Sequence, residues 1–243
     1  MNNFFTSLNR QQQLTGINQQ QYQLLKLLVP FLLSSALCCF LIVVRVMRTD
    51  TFRYSFLIWN LFLAWMPLLF AYFLYRKPLP KGFLGMPSVI VSHKEKFSFL
   101  LFFGLWLIFF PNAPYLISDL VHLRHNQGTI LWFDAAAFFC FAATGLQVGL
   151  LSLFLVEKTI AQITSKPVAW LVISGSIWLS GLGVYIGREL RFNSWDLVTD
   201  PIQLFQGIAQ ELTIHAISMT LLYATLIGVI YLIFRSLITT KID

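Results

Sequence analysis

FSFLLFFGLWLIFFPNAPYLISDLVHL, residues 97–123, is the stretch on which the fold turns. From Phe97 to Phe110 it carries no charge, so only an α-helix satisfies its backbone while its side chains remain in an apolar medium. Those residues rise ~21 Å at ~1.5 Å each. A hydrocarbon core is ~30 Å thick, so Pro111-Asn112-Ala113-Pro114 interrupts the helix before it has crossed. Pro111 removes one backbone donor and crowds the preceding turn. An opened backbone at that depth survives only when buried in protein or facing a wet cavity.

Five further apolar runs flank this one. With it they give six spans, at about 24–44, 56–75, 97–117, 130–156, 168–187 and 215–234. Composition agrees, with 57% hydrophobic residues, 11% charged and a mean hydropathy of +0.72. The expected fold is an all-α integral membrane protein of six transmembrane helices, in two parts: a Gln-rich arm over residues 1–23 and a transmembrane domain over 24–243. The third helix is broken at Pro111–Pro114 and followed by a short amphipathic helix. The first run begins late, lacks a small-residue cleavage site and is long enough to stay as a span, so no cleavable signal peptide is expected. Cys38, Cys39 and Cys140 have neither metal-site spacing nor a disulfide framework and read as small packing residues.

The net charge of +7 follows the positive-inside rule better than it suggests nucleic acid, which is excluded as a partner. With the N-terminus, 76–96, 157–167 and the C-terminus on one side, that side holds eleven of the seventeen Lys and Arg, and a net +8 against −1. Both termini are therefore expected in the cytoplasm. Arg45, Arg48 and Arg53 form an outward cluster that runs against the rule.

Polar residues gather at the outer ends of the spans. Asn112 is positioned to N-cap the helix after the break, with Pro114 in its first turn. At 100° per residue, Tyr115, Asp119, His122 and Asn126 share one stripe of that helix. Asn60, Asp134, Arg188, Arg191, Asn193-Ser194-Trp195-Asp196, Glu211 and His215 lie at similar depth, whereas the inner half carries almost nothing comparable. Ionisable groups within hydrocarbon are costly and mark function by default. One shared pocket toward the outer leaflet is the expectation.

WNLFLAWMP (59–67), PNAPYLISDLVHL (111–123), WFD (132–134) and GRELRFNSWD (187–196) resemble the motifs of family 1361 of the domains of unknown function, a family of bacterial multi-pass membrane proteins. The resemblance runs over about 45–201, and Glu189 departs from its pattern. It implies a bacterial cytoplasmic membrane location. It also implies that Asn60, Asn112, Tyr115, Asp119, His122, Asp134, Arg188, Arg191, Asn193, Trp195 and Asp196 are signature positions, and no activity.

Several chemistries compete for these residues. Asp119 with His122, and His125 off the stripe, makes half of a divalent-metal site, which an Asp–His hydrogen-bonded pair explains more simply, so no cofactor is expected. Asp119, His122 and Asp134 supply the carboxylates and imidazole that acid–base catalysis on a membrane-embedded substrate requires. Arg188 and Arg191, with Asn60, Asn112, Tyr115, Asn193, Trp195 and Asp196, are candidates to bind an anionic headgroup or small anion, since the Arg fork favours bidentate contact with phosphate or carboxylate. The broken helix resembles transporter sites, yet no internal repeat accompanies it. A scaffold or assembly role, with the Arg residues paired to Asp119, Asp134 or Asp196, is the plainest alternative. Membrane lipid is the expected partner. Gly145-x-x-x-Gly149 and Gly183-x-x-x-Gly187 permit homo-oligomer contacts or packing within one chain equally.

Overall fold

The computed structural model describes residues 28–76, 93–125, 130–211 and 213–239. Those residues are mostly helical, without strands, and form six segments long and apolar enough to cross a membrane. They comprise α1 (Leu28–Thr49), α2 (Phe56–Arg76), α3 (His93–Phe109), α4 (Asn112–Ser118) with a 3-10 helix (Asp119–His125), α5 (Leu131–Ile163), α6 (Lys166–Tyr185) with a π-turn (Ile186–Leu190), and α9 (Ile214–Thr239). Between α6 and α9 lie α7 (Asp196–Thr199) and α8 (Pro201–Gln210). The chain is a multi-pass α-helical membrane protein. The Gln-rich arm, Asn126 and the 77–92 connection lie outside the described residues, as does the side chain of His125.

α5 is the central post. Ala, Gly, Ser and Thr are interspersed along it and let neighbours approach on several sides, so most of its length is buried against α2, α4 and α6. α9 leans chiefly on α6 and presents most of its surface outward.

The break in the third span is local, and Asn112 repairs part of the backbone pairing that it interrupts. Phe110 N still donates to Trp106 O at 2.8 Å, but Pro111 has no hydrogen to offer, and Ala113 N turns to Phe110 O at 3.2 Å. Phe109 O, left without its helical donor, accepts from the Asn112 side-chain amide at 2.9 Å. Regular bonding resumes with Tyr115 N to Pro111 O at 3.0 Å. Asn112 therefore closes the preceding helix instead of capping the next one, for which Pro111 stands at the N-cap. The short helix expected after the break is present as α4, which ends at Ser118 and continues in 3-10 geometry over Asp119–His125.

Both Gly-x-x-x-Gly patterns hold this break within one chain. A Cβ on Gly149 would stand 2.6 Å from that of Ala113, and one on Gly183 would stand 2.5 Å from Pro111 Cγ. Gly145 faces Leu116 and Ala113, and Gly187 faces the Tyr115 ring. α4 is thus wedged between two helix faces stripped of side chains, one from α5 and one from α6.

The end of the bundle opposite the break holds a polar group that the apolar runs conceal. α5 extends to Ile163, so Glu157 belongs to the helix and not to a loop. Its buried carboxylate accepts from Arg235 Nε at 2.9 and 3.1 Å and from the Tyr231 hydroxyl, joining α5 to α9. Arg235 lies 5.0 Å above the Trp170 ring. This corrects the expectation of an inner half without comparable polar residues. Tyr231→Phe is expected to cost about 1–3 kcal/mol, since the carboxylate loses a donor that water does not replace. Thermal unfolding in a fixed detergent reads the loss.

Candidate functional site

Two irregular pieces of backbone and the first turns of α2 meet at the end of the bundle that holds the helix break, and together they bring four side chains to a shared centre. The first is the 3-10 helix, whose three-residue turn eclipses i and i+3. It brings His122 Nε2 to 4.0 Å from Asp119 Oδ1. The second is the π-turn closing α6, a form that recurs at functional sites and here carries Arg188. Arg188 Nη1 donates to Asp119 Oδ1 at 3.3 Å and stands 3.3 Å from His122 Nε2. The third is the N-terminal end of α2, where the Asn60 amide donates to Asp119 Oδ2 at 2.9 Å. Both carboxylate oxygens of Asp119 are thereby engaged, and its side chain is 1% exposed against 15% for Arg188. His122 is more open at 42%, its ring set edge-on to that of Phe56 with centroids 5.2 Å apart.

Beside this centre runs a cleft of about 270 Å³ between α2, the α3–α4 break and the π-turn, bordered by α8. Asn60, Asn112, Tyr115, Asn193 and Ser194 bring polar atoms to it, against a majority of apolar walls from Trp59 to Ile208. Asn112 donates to Ser194 Oγ at 2.8 Å, pinning the loop after the π-turn to the helix break. Arg191 makes the reversal with φ of 60°, a left-handed conformation that a non-glycine residue holds only when its surroundings enforce it. The loop then closes on itself, with Asn193 N donating to Asp196 Oδ2 at 2.6 Å. Asp200 caps α8 by accepting from Gln203 N at 3.3 Å, ahead of Pro201 in the first turn. α8 keeps Leu204 buried while Ile202 and Phe205 face outward.

The sequence-expected residues thus separate into groups. Asn60, Asp119, His122 and Arg188 come together, with Asn112 and Tyr115 on the adjoining cleft wall. Arg191, Asn193 and Trp195 are exposed on the loop, while Asp196 is half-buried within it. Glu211 and His215 are exposed, and Glu211 contributes its backbone carbonyl, which accepts from the Tyr185 hydroxyl at 3.0 Å. Among the described residues, no three of His, Cys, Asp and Glu are grouped as a metal would require.

The expected place of Asp134 in the shared pocket is corrected. It forms a second buried ion pair, accepting from Arg45 Nε at 2.7 Å, with side-chain exposures of 0% and 6%. Arg45 also lies 4.2 Å above the Tyr54 ring. Depth along a span can be counted from sequence, but which neighbour a residue faces cannot. Tyr223 of α9 is a further residue near the first centre, within electrostatic reach of Arg188 and Asp119. Its place in an apolar run hid it.

A six-span helical bundle whose third span is broken beside a buried polar centre defines the class of this membrane protein. A family model described as "Protein of unknown function (DUF1361)" matches residues 59–230, and the chain belongs to that family. No curated protein and no solved structure matches it.

Proposed function

We propose that the outer cleft receives the headgroup of an anionic membrane amphiphile, with hydroxyl-bearing phospholipids as the best chemical fit. The carrying observation is the lining itself: a few convergent polar atoms on an otherwise apolar wall, the usual make-up of a small-molecule site. The Asn112 amide is committed to Phe109 and Ser194, which leaves its carbonyl oxygen and the Ser194 hydroxyl hydrogen for a ligand. Those groups suit headgroup hydroxyls as well as phosphate oxygens. Arg191, exposed where the loop reverses and next to the cleft-lining Phe192, is the cation that this reading assigns to the headgroup. The Asp119–Arg188 pair acts behind the wall, holding the π-turn and the break at their spacing. In this reading Arg188 is a positioning residue. The two-Arg clamp suggested by sequence reduces to Arg191, because Arg188 is matched by Asp119.

The orientation belongs to the same proposal. We place the protein in a bacterial cytoplasmic membrane with both termini inside. Two of the six outward Arg residues that oppose this topology, Arg45 and Arg188, are held in buried ion pairs and do not act as loop charges.

The test is ligand-induced stabilisation of the purified protein in neutral detergent. Phosphatidylglycerol is expected to raise the melting temperature more than phosphatidylcholine of the same chains. Arg191→Gln is expected to remove that difference, and Ser194→Leu to weaken both responses. Equal stabilisation by the two lipids in the native chain would refute the headgroup assignment.

A further inference from the structure

Cys38 of α1 and Cys140 of α5 meet inside the bundle, 102 positions apart in the chain: the Cys38 thiol donates to Cys140 Sγ at 3.2 Å. This revises their reading as mere packing residues. A disulfide needs its sulfurs ~2.05 Å apart, so side-chain rotation of about 1 Å separates the pair from bonding distance. Two features keep them in register. The Arg45–Asp134 ion pair clamps the same two helices about two turns further out, and Thr144 of α5 contacts both Cys38 Sγ, at 3.5 Å, and Ser34 Oγ of α1, at 2.5 Å. Cys38 is fully buried in an apolar cluster and Cys140 half-buried, so an oxidant in the lipid phase has better access than one in water.

We propose that Cys38 and Cys140 are an intramembrane dithiol that a lipid-soluble quinone oxidises to a disulfide, tying α1 covalently to α5. Two S–H bonds break and one S–S bond forms. Both electrons and both protons pass to the quinone oxygens, giving the hydroquinone. A dithiol reductant reverses the change by exchange.

The test uses the full-length protein in lipid nanodiscs and a quinone with every ring position substituted, which cannot add a thiol. Free thiols are counted by maleimide mass after denaturation. The count is expected to fall from three to one, with a linked Cys38–Cys140 peptide in the digest and no covalent dimer. Cys39→Ala should likewise lose two thiols, falling from two to none, and Cys140→Ala should lose none. Three thiols retained in the native chain would overturn the proposal, as would a loss that persists in Cys140→Ala or a dimer linked through Cys39. Peptide mapping of the native chain alone decides the matter if a variant misfolds.

Discussion

Asp119→Ala is expected to destabilise the protein by about 3–5 kcal/mol, the usual cost of stripping a buried charge of its partner. Three contacts converge on that carboxylate, and its removal strands the Arg188 guanidinium, whose side chain is only 15% exposed. The π-turn that carries Arg188 then loses its anchor to the 3-10 helix. The sharper test is the compensated variant. Asp119→Ala with Arg188→Leu removes both charges, and a missing ion pair replaced by apolar contact is often close to neutral. The double variant should therefore unfold at higher temperature than Asp119→Ala alone, in one detergent and at one protein concentration. Simple additivity of the two single changes would mean that the residues do not interact.

Gly183→Val is the second large effect. Its first added carbon would lie 2.5 Å from Pro111 Cγ and 2.7 Å from Pro111 Cβ, atoms of a rigid ring at a fixed helix break. α6 has to move away, at a cost of about 1–3 kcal/mol or more. Because Ser194 and Tyr115 flank the same contact, the cleft should open as the wedge loosens, and lipid-induced stabilisation should fall with stability. Gly149→Val, pressing on Ala113 from the α5 side, should act alike. Gly175 is the control: a Cβ there meets nothing within 4 Å. Gly175→Ala should be neutral or stabilising by up to ~1 kcal/mol, the helix-propensity gain. Comparable losses at Gly175 and Gly183, read by thermal unfolding, would remove the wedge from the account.

The spans were legible in the sequence because a hydrocarbon slab imposes a length and forbids charge, and both constraints are written linearly. Pro111 marked the break for the same reason, through one absent hydrogen. Azimuth is not written linearly. Asn60 and Asp134 sit at similar depths near the N-terminal ends of their spans, yet one faces Asp119 and the other faces Arg45. Glu157 was misplaced because the first charge after an apolar run reads as its end, while a Tyr231 hydroxyl and Arg235 from a distant span make its burial affordable. The glycine spacings announced close contact without naming the partner, which proved to be the broken helix. The π-turn leaves no trace in periodicity, so Arg188 could be counted toward a cleft that its partner keeps it behind.

At the centre of the account stands one contact between two irregular turns, Arg188 on Asp119. Solid-state NMR of the protein in lipid bilayers, with ¹⁵N-arginine and ¹³C-aspartate labels and Asp119→Asn as the assignment reference, measures it directly. A dipolar contact matching the 3.3 Å separation of Arg188 Nη1 and Asp119 Oδ1 is the predicted result. Coupling of the Asp119 carboxyl to another arginine, or to none, would contradict it.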